Sequence, residues 1–465
     1  MTKHKKAVVY AVSLFLIISF SCSRKQGFKF SGSTGEVSII TLDPGHFHAA
    51  LVQKVMYDQV SPIVNIFAPE GPDLADHLSR INGFNNSTDN PTNWTSNIYA
   101  NFDYFEKMIK KKPGNVVVIS GNNLKKTDYI KTSVDAGLNV LADKPMCINK
   151  EGFDLLKEAF ITAEKNNCLL YDIMTERYEI TTILQKILAN TPDIFGSFQK
   201  GTPEDPAVIK ESVHHFFKYV SGNPIKRPAW YFDTDQQGEG IVDVTTHLVD
   251  LIQWACFPEE IIDYQNDVKM ISARHSPTLI RKEQFEKVTG LSDFPPFLRT
   301  NLNENGQLPV YSNGEMVYTL KDIHAKVSVI WNFQAPQGTG DTHFSIMRGT
   351  KSEIIIRQGE EQKYRPELFI KILDAYDSTV ESFLQETVKN LSDDYPGLKL
   401  EKAGNEWHVV IPDKFRIGHE AHFGQVTKKY LQFLIDGKLP DWEVPNMIAK
   451  YYTTTSALEM ALRSN

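Results

Sequence analysis

Asp243, His247 and Asp250 are the residues of this sequence whose types and spacing best suit proton chemistry. At i, i+4 and i+7 they share one face of a helix, and Val244 and Leu251 on that face predict at least partial burial. Paired titratable groups on a buried face make a proton-transfer site, and imidazole titrates near neutrality. The plainer alternative is a hydrogen-bonded core histidine flanked by capping or solvated aspartates.

Those residues belong to a segment that Gly238 and Gly240 open and that keeps a helical pattern through Ala255. A second informative segment lies about a hundred residues earlier. The run 115–120, bounded by Gly114 and Gly121, predicts a short buried strand. A helix over 126–136 follows, stopped by Gly137, and then a strand over 139–142 that ends in Asp143-Lys144-Pro145. A β-α-β unit of this kind implies parallel strands. Ligands bind beyond the carboxyl ends of such strands, where Asp143 and Lys144 stand.

In these two segments the chain resembles the glucose–fructose oxidoreductase/inositol dehydrogenase (Gfo/Idh/MocA) family. Asp143-Lys144-Pro145 matches the family's Glu-Lys-Pro motif. Glu239 and Gly240, through Asp243 and His247 to Asp250, match its Gly-Gly-x-x-x-Asp-x-x-x-His-x-x-Asp motif. The resemblance spans residues 36–356 and resumes at 417–465. It implies an α/β fold: a Rossmann-like, doubly wound parallel sheet over 36–175, then an α+β domain over 176–465 with an open, mostly antiparallel sheet. It further implies a nicotinamide cofactor, NAD or NADP, and a sugar or sugar derivative as substrate. In that reading His247 is the base, Asp243 orients it or shares its proton, and Lys144 polarises the reacting oxygen. The cofactor would be held by Asp43, Gly45, His46, His48, Glu70, Ser120, Gly121, Asp143 and Lys144. The substrate would meet Arg177, His215, Trp230, Tyr231 and Asp250. Relatives also use such a site for elimination and re-addition, so a lyase or glycoside-cleaving enzyme with a retained NAD or a metal is the alternative, and a noncatalytic sugar-binding lipoprotein a second.

The phosphate turn departs from the family pattern. Where Gly-x-Gly-x-x-Gly lets the backbone approach a pyrophosphate, this chain has Asp43, Gly45 and His48. Asp43 would repel a diphosphate or else cap the helix, and Glu70 and Asp73 are the nearest acidic residues for the adenosine ribose. His46 and His48 are also of the metal-ligand type, although spacing supplies no further partners. Further on, His214-His215 and the segment 226–233, which holds Trp230 and Tyr231, mix aromatic and polar side chains as sugar sites do.

The remaining elements follow from pattern. Strands are expected over 37–42 and 63–67, with a helix over 48–55 between them. A polar loop over 82–98 then precedes a helix over 102–110, and Lys150–Asn166 is a helix that leads to a strand over 168–173. In the second half, strands over 326–333 and 353–357 join the helix over 238–256. Residues 280–315 and 358–415 read as insertions, and helices over 421–435 and 444–463 pack back onto the protein.

A length of 465 residues with 41% hydrophobic residues suits two globular domains, and a net charge of −7 gives no electrostatic reason to expect nucleic acid. Lys3, Lys5 and Lys6 precede an apolar run over 7–20, too short to span a bilayer and typical of a signal peptide. Ser19-Phe-Ser-Cys22 resembles a lipoprotein cleavage box. The expectation is a signal peptide over 1–22, lipidation of Cys22, a tether over 23–35 and a bacterial envelope location facing the periplasm. Contact with a membrane would be through the lipid alone, with a homo-oligomer possible. Cys147, Cys168 and Cys256 match no metal or redox spacing and read as core thiols.

Overall fold

The computed structural model describes residues 29–220, 223–373 and 378–464. The expected signal peptide and Cys22 therefore lie outside the described residues.

The first half alternates strands and helices: β1 (Ile39–Leu42), α1 (His48–Leu51), β2 (Ile63–Ala68), α2 (Pro72–Asn85), β3 (Thr95–Ala100), α3 (Tyr104–Lys111), β4 (Val116–Ile119), α4 (Lys126–Asp135), β5 (Asn139–Asp143), α5 (Lys150–Asn166) and β6 (Leu170–Ile173). The strands form one sheet in the order β3-β2-β1-β4-β5-β6, and every pairing is parallel. β1, β4, β5 and β6 are buried along their whole length, as expected of continuous apolar runs covered on both faces. The strand order reverses between β1 and β4, which puts the ligand crevice beyond the carboxyl ends of β1, β4 and β5.

The second half begins with α6 (Ile180–Ala189), α7 (Pro192–Phe195), β7 (Val208–Phe217), the two-residue strands β8 (Tyr219–Val220) and β9 (Asn223–Pro224), α8 (Thr234–Gln237) and α9 (Thr245–Cys256). It continues through β10 (Val268–Ile280), α10 (Lys282–Thr289), α11 (Pro296–Arg299), β11 (Leu308–Leu320), β12 (Ile323–Gln334), β13 (Thr342–Arg348), β14 (Ser352–Arg357) and β15 (Glu367–Ile372). It ends with α12 (Ser378–Leu391), β16 (Lys399–Ala403), β17 (Glu406–Val410), α13 (His419–Asp436) and α14 (Glu443–Arg463). Nine strands make an open sheet ordered β10-β11-β12-β7-β13-β14-β15-β17-β16, antiparallel except where β12 meets β7. α13 and α14 do pack back. Phe423, Tyr430 and Tyr451 are buried in one cluster with Ile39 and Val117 of the parallel sheet. Among the described residues no helix is long and apolar enough to cross a membrane.

Four local expectations are corrected. The helix after β1 is a single turn, not one running through 55. The polar stretch 82–98 contains the end of α2 and most of the edge strand β3, whose Thr95, Asn97 and Ile98 are exposed, so no apolar run marks it. Residues 358–415 are not a mere insertion, because β15, β16 and β17 extend the large sheet. Finally, α9 begins only at Thr245, and 241–244 form a turn.

Candidate active site

A cleft of about 1140 Å³ lies between the two sheets. Its floor is the carboxyl edge of the parallel sheet, from which Asp143 and Lys144 emerge at the end of β5. Its far wall is the turn leading into α9, which carries Asp243, with His247 on the helix itself. Gly240 allows this wall to close up, since a Cβ there would stand 1.7 Å from the Ser312 carbonyl oxygen of β11.

Lys144 and Asp243 meet across the cleft, Nζ to Oδ1 at 2.5 Å, with both side chains almost wholly buried. Gln237 donates to the other oxygen of Asp243 at 3.1 Å. Burial alone would raise the Asp243 carboxyl, but the Lys144 cation and these hydrogen bonds hold it below the usual carboxylate range. The expected partnership of Asp243 with His247 is therefore not made. Asp243 lies in the turn rather than on the helix, and the lysine takes its carboxylate. His247 Nδ1 is buried without a hydrogen-bond partner. Burial first, and the nearby Lys144 charge second, push its pKa down to about 3, so its imidazole is neutral and an open acceptor.

Seven of the chain's thirteen histidines line this one cleft. His46 and His48 stand on the turn after β1, with rings 4.1 Å apart and edge to face. His48 Nδ1 lies 2.9 Å from Asp143 Oδ2, which also accepts from Ser120 Oγ at 3.0 Å. Burial lowers the pKa of His48 to about 4. His419, at the start of α13, brings Nε2 to 3.3 Å from His48 Nε2, and its Nδ1 lies 3.3 Å from Glu176. His214 bonds Asp341 at 2.9 Å through Nδ1 and Ser212 through Nε2. Glu176, Asp341 and His419 had no motif to announce them, whereas His214 belongs to the His214-His215 pair that the sequence offered as part of a sugar site. The spacing of His419 and His422 at i, i+3 was the one available signal.

Several expected site residues have other partners. Arg177 makes two 2.7 Å bonds to Asp250 and a 2.9 Å bond to Glu443. Lys450 Nζ joins Asp250 at 2.8 Å and Asp172 at 2.7 Å. Arg177 and Asp250 are thus members of a buried charge network and are not among the residues that line the cleft. His215, the neighbour of His214 on β7, is buried with its ring on Asp341 while His214 lines the cleft, as strand alternation requires. Tyr231 does line the cleft, but Trp230 does not: its Nε1 donates to Asp73 at 2.8 Å.

The phosphate turn is likewise filled from within. Asp43 sits at φ +47°, with its carboxylate 3.2 Å and 3.4 Å from the hydroxyls of Tyr129 and Tyr104, and burial pushes its pKa up. It neither lines the cleft nor caps α1. The Gly45 amide donates to the Asp43 carbonyl at 2.8 Å, and the His46 amide to that of Ser120 at 3.2 Å. A Cβ on Gly45 would meet Asp73 Oδ2 at 3.0 Å and Trp230 at 3.2 Å. Gly121 packs so close to this turn that a Cβ would lie 2.1 Å from the Asp43 oxygen. Ser120 is buried behind Asp143, and Glu70 is exposed outside the cleft.

Residues 184–462 match the family model described as "Putative oxidoreductase C terminal domain". The chain belongs to that family. A crystal structure described as a "putative oxidoreductase" from Parabacteroides merdae is 55% identical, covering 94% of this chain and 100% of its own, with a TM-score of 0.92. An oxidoreductase structure from Thermotoga maritima, described in the same words, shares 13% identity at a TM-score of 0.59, covering 92% of this chain and 99% of its own. Levoglucosan dehydrogenase in complex with NADH shares 12% identity at a TM-score of 0.58, covering 92% of this chain and 98% of its own. No curated protein matches the chain. The architecture is that of the Gfo/Idh/MocA oxidoreductases that the sequence motifs resemble.

Of a nicotinamide dinucleotide, the redox-active end fits: Lys144, Asp143, Gly121 and His46 all border open cleft at the carboxyl edge of the sheet. The phosphates do not meet the usual cradle, since the amides of residues 45 and 46 are already bonded and Trp230 and Asp73 stand over Gly45.

Proposed function

We propose that this chain is a nicotinamide-dependent oxidoreductase that acts on a sugar or sugar derivative. The observation that carries the reading is the Lys144–Asp243 pair, which faces the same cleft as the neutral His247 at the carboxyl end of β5. Structural neighbours support it: a levoglucosan dehydrogenase has been crystallised with NADH and levoglucosan or L-sorbose, and GenD2 with NAD.

When bound, a nicotinamide supplies the hydride acceptor. The protein's own part is proton transfer and orientation. The Lys144 ammonium stabilises negative charge developing on a substrate hydroxyl and so lowers that hydroxyl's pKa. Asp243 fixes the ammonium in place and compensates its charge in a buried setting. His247 offers the free lone pair of a neutral ring to a proton in the cleft. Tyr231 and Trp331 supply apolar surface against which a sugar ring can lie, and the Arg227 guanidinium stands 4.4 Å and 5.2 Å above their rings, holding them in place.

The filled phosphate turn favours a second reading, elimination and re-addition without net redox, for which a tightly retained cofactor or a metal would supply the activation that the sugar C–H needs. Isothermal titration with NAD⁺, NADH, NADP⁺ and NADPH, together with absorbance of the reduced cofactor during turnover of a sugar panel, separates the two. Binding of none of the four, with sugars still consumed, overturns the oxidoreductase reading and leaves the second.

We also propose an envelope location through lipidation at Cys22, on the order of basic residues, apolar run and cysteine. A Cys22→Ala variant should leave the membrane fraction; one that stays there refutes the anchor.

A further inference from the structure

Two imidazoles that line the cleft, His48 of α1 and His419 of α13, bring their Nε2 atoms to 3.3 Å from each other. Asp143 Oδ2 already accepts from Ser120 Oγ at 3.0 Å and faces His48 Nδ1 as a carboxylate acceptor. The 2.9 Å contact to His48 Nδ1 therefore assigns the ring proton to Nδ1 and leaves a lone pair on Nε2. His419 has the same arrangement, with Nδ1 turned to Glu176 and Nε2 turned to His48 at 3.3 Å. Each histidine thus has a carboxylate behind it, which is how metal-bound histidines are oriented. Two facing ring nitrogens at this distance share either a proton or a bound cation. Two nitrogens bound to one tetrahedral ion at about 2.0–2.1 Å stand roughly 3.3–3.4 Å apart, which is the separation observed.

Further donors are at hand. His46 Nδ1 is buried without a partner, and with His48 and Asp143 it forms a group whose ligand atoms lie within 4.8 Å of one another. His422, one turn along α13 from His419, also has an unpartnered buried Nδ1. We infer that His48 and His419 bind a divalent transition metal through their Nε2 atoms, with His46 beside them and the open coordination positions facing the cleft. Imidazole donors with carboxylates in support suit zinc, cobalt or nickel better than magnesium or calcium. The ion would occupy the place given over to the first diphosphate turn in dinucleotide-binding relatives and would offer a Lewis acid to vicinal oxygens of a sugar. The inference is independent of the cofactor reading, since metal binding and dinucleotide binding are measured separately and either can fail alone.

The test uses purified full-length protein stripped with EDTA and then titrated with Co²⁺ and with Zn²⁺. The expected result is about one ion per chain, tetrahedral cobalt absorption bands and a higher Tm. His48→Gln and His419→Gln should abolish all three while melting, in EDTA, like the stripped wild type. Glu176→Gln, which removes only the carboxylate behind His419, should weaken binding about 10- to 100-fold. X-ray absorption at the zinc edge of the wild type counts imidazole ligands without recourse to variants, and at least two are expected. Failure of either metal to bind, binding unchanged in the His48/His419 double variant, or an absorption spectrum without nitrogen ligands overturns the inference.

Discussion

Lys144 and Asp243 define the chemistry residue by residue, because a buried ion pair is stable only while both members are present. Removing the lysine removes the charge that stabilises an oxyanion and leaves the buried Asp243 without its main compensation. Lys144→Ala should therefore lower kcat about a hundredfold to ten-thousandfold with a smaller change in KM, measured on the substrate that the sugar panel identifies. A near-wild-type kcat would remove Lys144 from the mechanism. His247 presents a different case. With a pKa near 3 it remains unprotonated across the physiological range, so any acidic limb in the pH–rate profile above about 5 must come from another group. His247→Asn should leave the position of that limb unchanged while lowering the plateau; a limb that moves with the substitution would show the ring titrating there. The residue types at 144, 243 and 247 were readable in the sequence because both motifs place them at fixed offsets. Partners were not readable. Asp250 and Arg177 have site-like chemistry, yet they pair with each other and with Lys450 and Glu443 of the distant α14.

At the scale of elements, the turn after β1 and the segment 229–237 decide what the cleft can accept. That segment crosses from the second domain onto the first. Trp230 bonds Asp73, the Gln236 side chain accepts from Asn122 at 2.7 Å, and the Gln237 carbonyl accepts from Asn123 at 2.7 Å. Its aromatic composition suggested a sugar-stacking loop, and only Tyr231 has kept that place. The β-α-β unit, α5 and the final helices were legible because their apolar periodicity is strong. β3 was not, since an exposed edge strand has little apolar surface to show, and neither were β15–β17, whose alternation is masked by charged residues. Asp73 permits a specific test. Its carboxylate stands beside Gly45, where a diphosphate would bring like charge, while an asparagine can still accept from the Trp230 indole. Asp73→Asn should tighten NAD(H) binding by about fivefold at low salt, matching the ~1 kcal/mol of a close charge pair in high dielectric. Titration calorimetry at two salt concentrations checks it; unchanged affinity would mean that the phosphates lie elsewhere.

For the whole molecule, the buried chain Asp172–Lys450–Asp250–Arg177–Glu443 links the last strand of the parallel sheet to α9 and α14, and so fixes the two domains around the cleft. Removing one member leaves an uncompensated charge in the interior, a loss of about 3–5 kcal/mol. Arg177→Met should lower the unfolding free energy by that order in urea, with kcat changed far less than by Lys144→Ala. The reverse ranking would return Arg177 to the substrate site. The same network sets the acid limit. Burial raises the Asp250 carboxyl, but Arg177 and then Lys450 outweigh it and hold the folded-state pKa below the ordinary value of 3.8. A group depressed in the folded state contributes stability that is fully present above its unfolded pKa, about 3.9, and is lost as pH falls through the folded value. Asp143 and Asp243 are lowered as well and act in the same sense. Unfolding free energy from these groups should thus be flat from neutrality to about pH 5 and fall steadily below about pH 4. In Arg177→Met the carboxyl of Asp250 loses its largest counter-charge, its folded pKa rises, and its share of the acid-dependent slope shrinks. Urea midpoints at pH 3.5, 4.5 and 7, expected to differ less in the variant than in the wild type, decide whether this network governs acid stability.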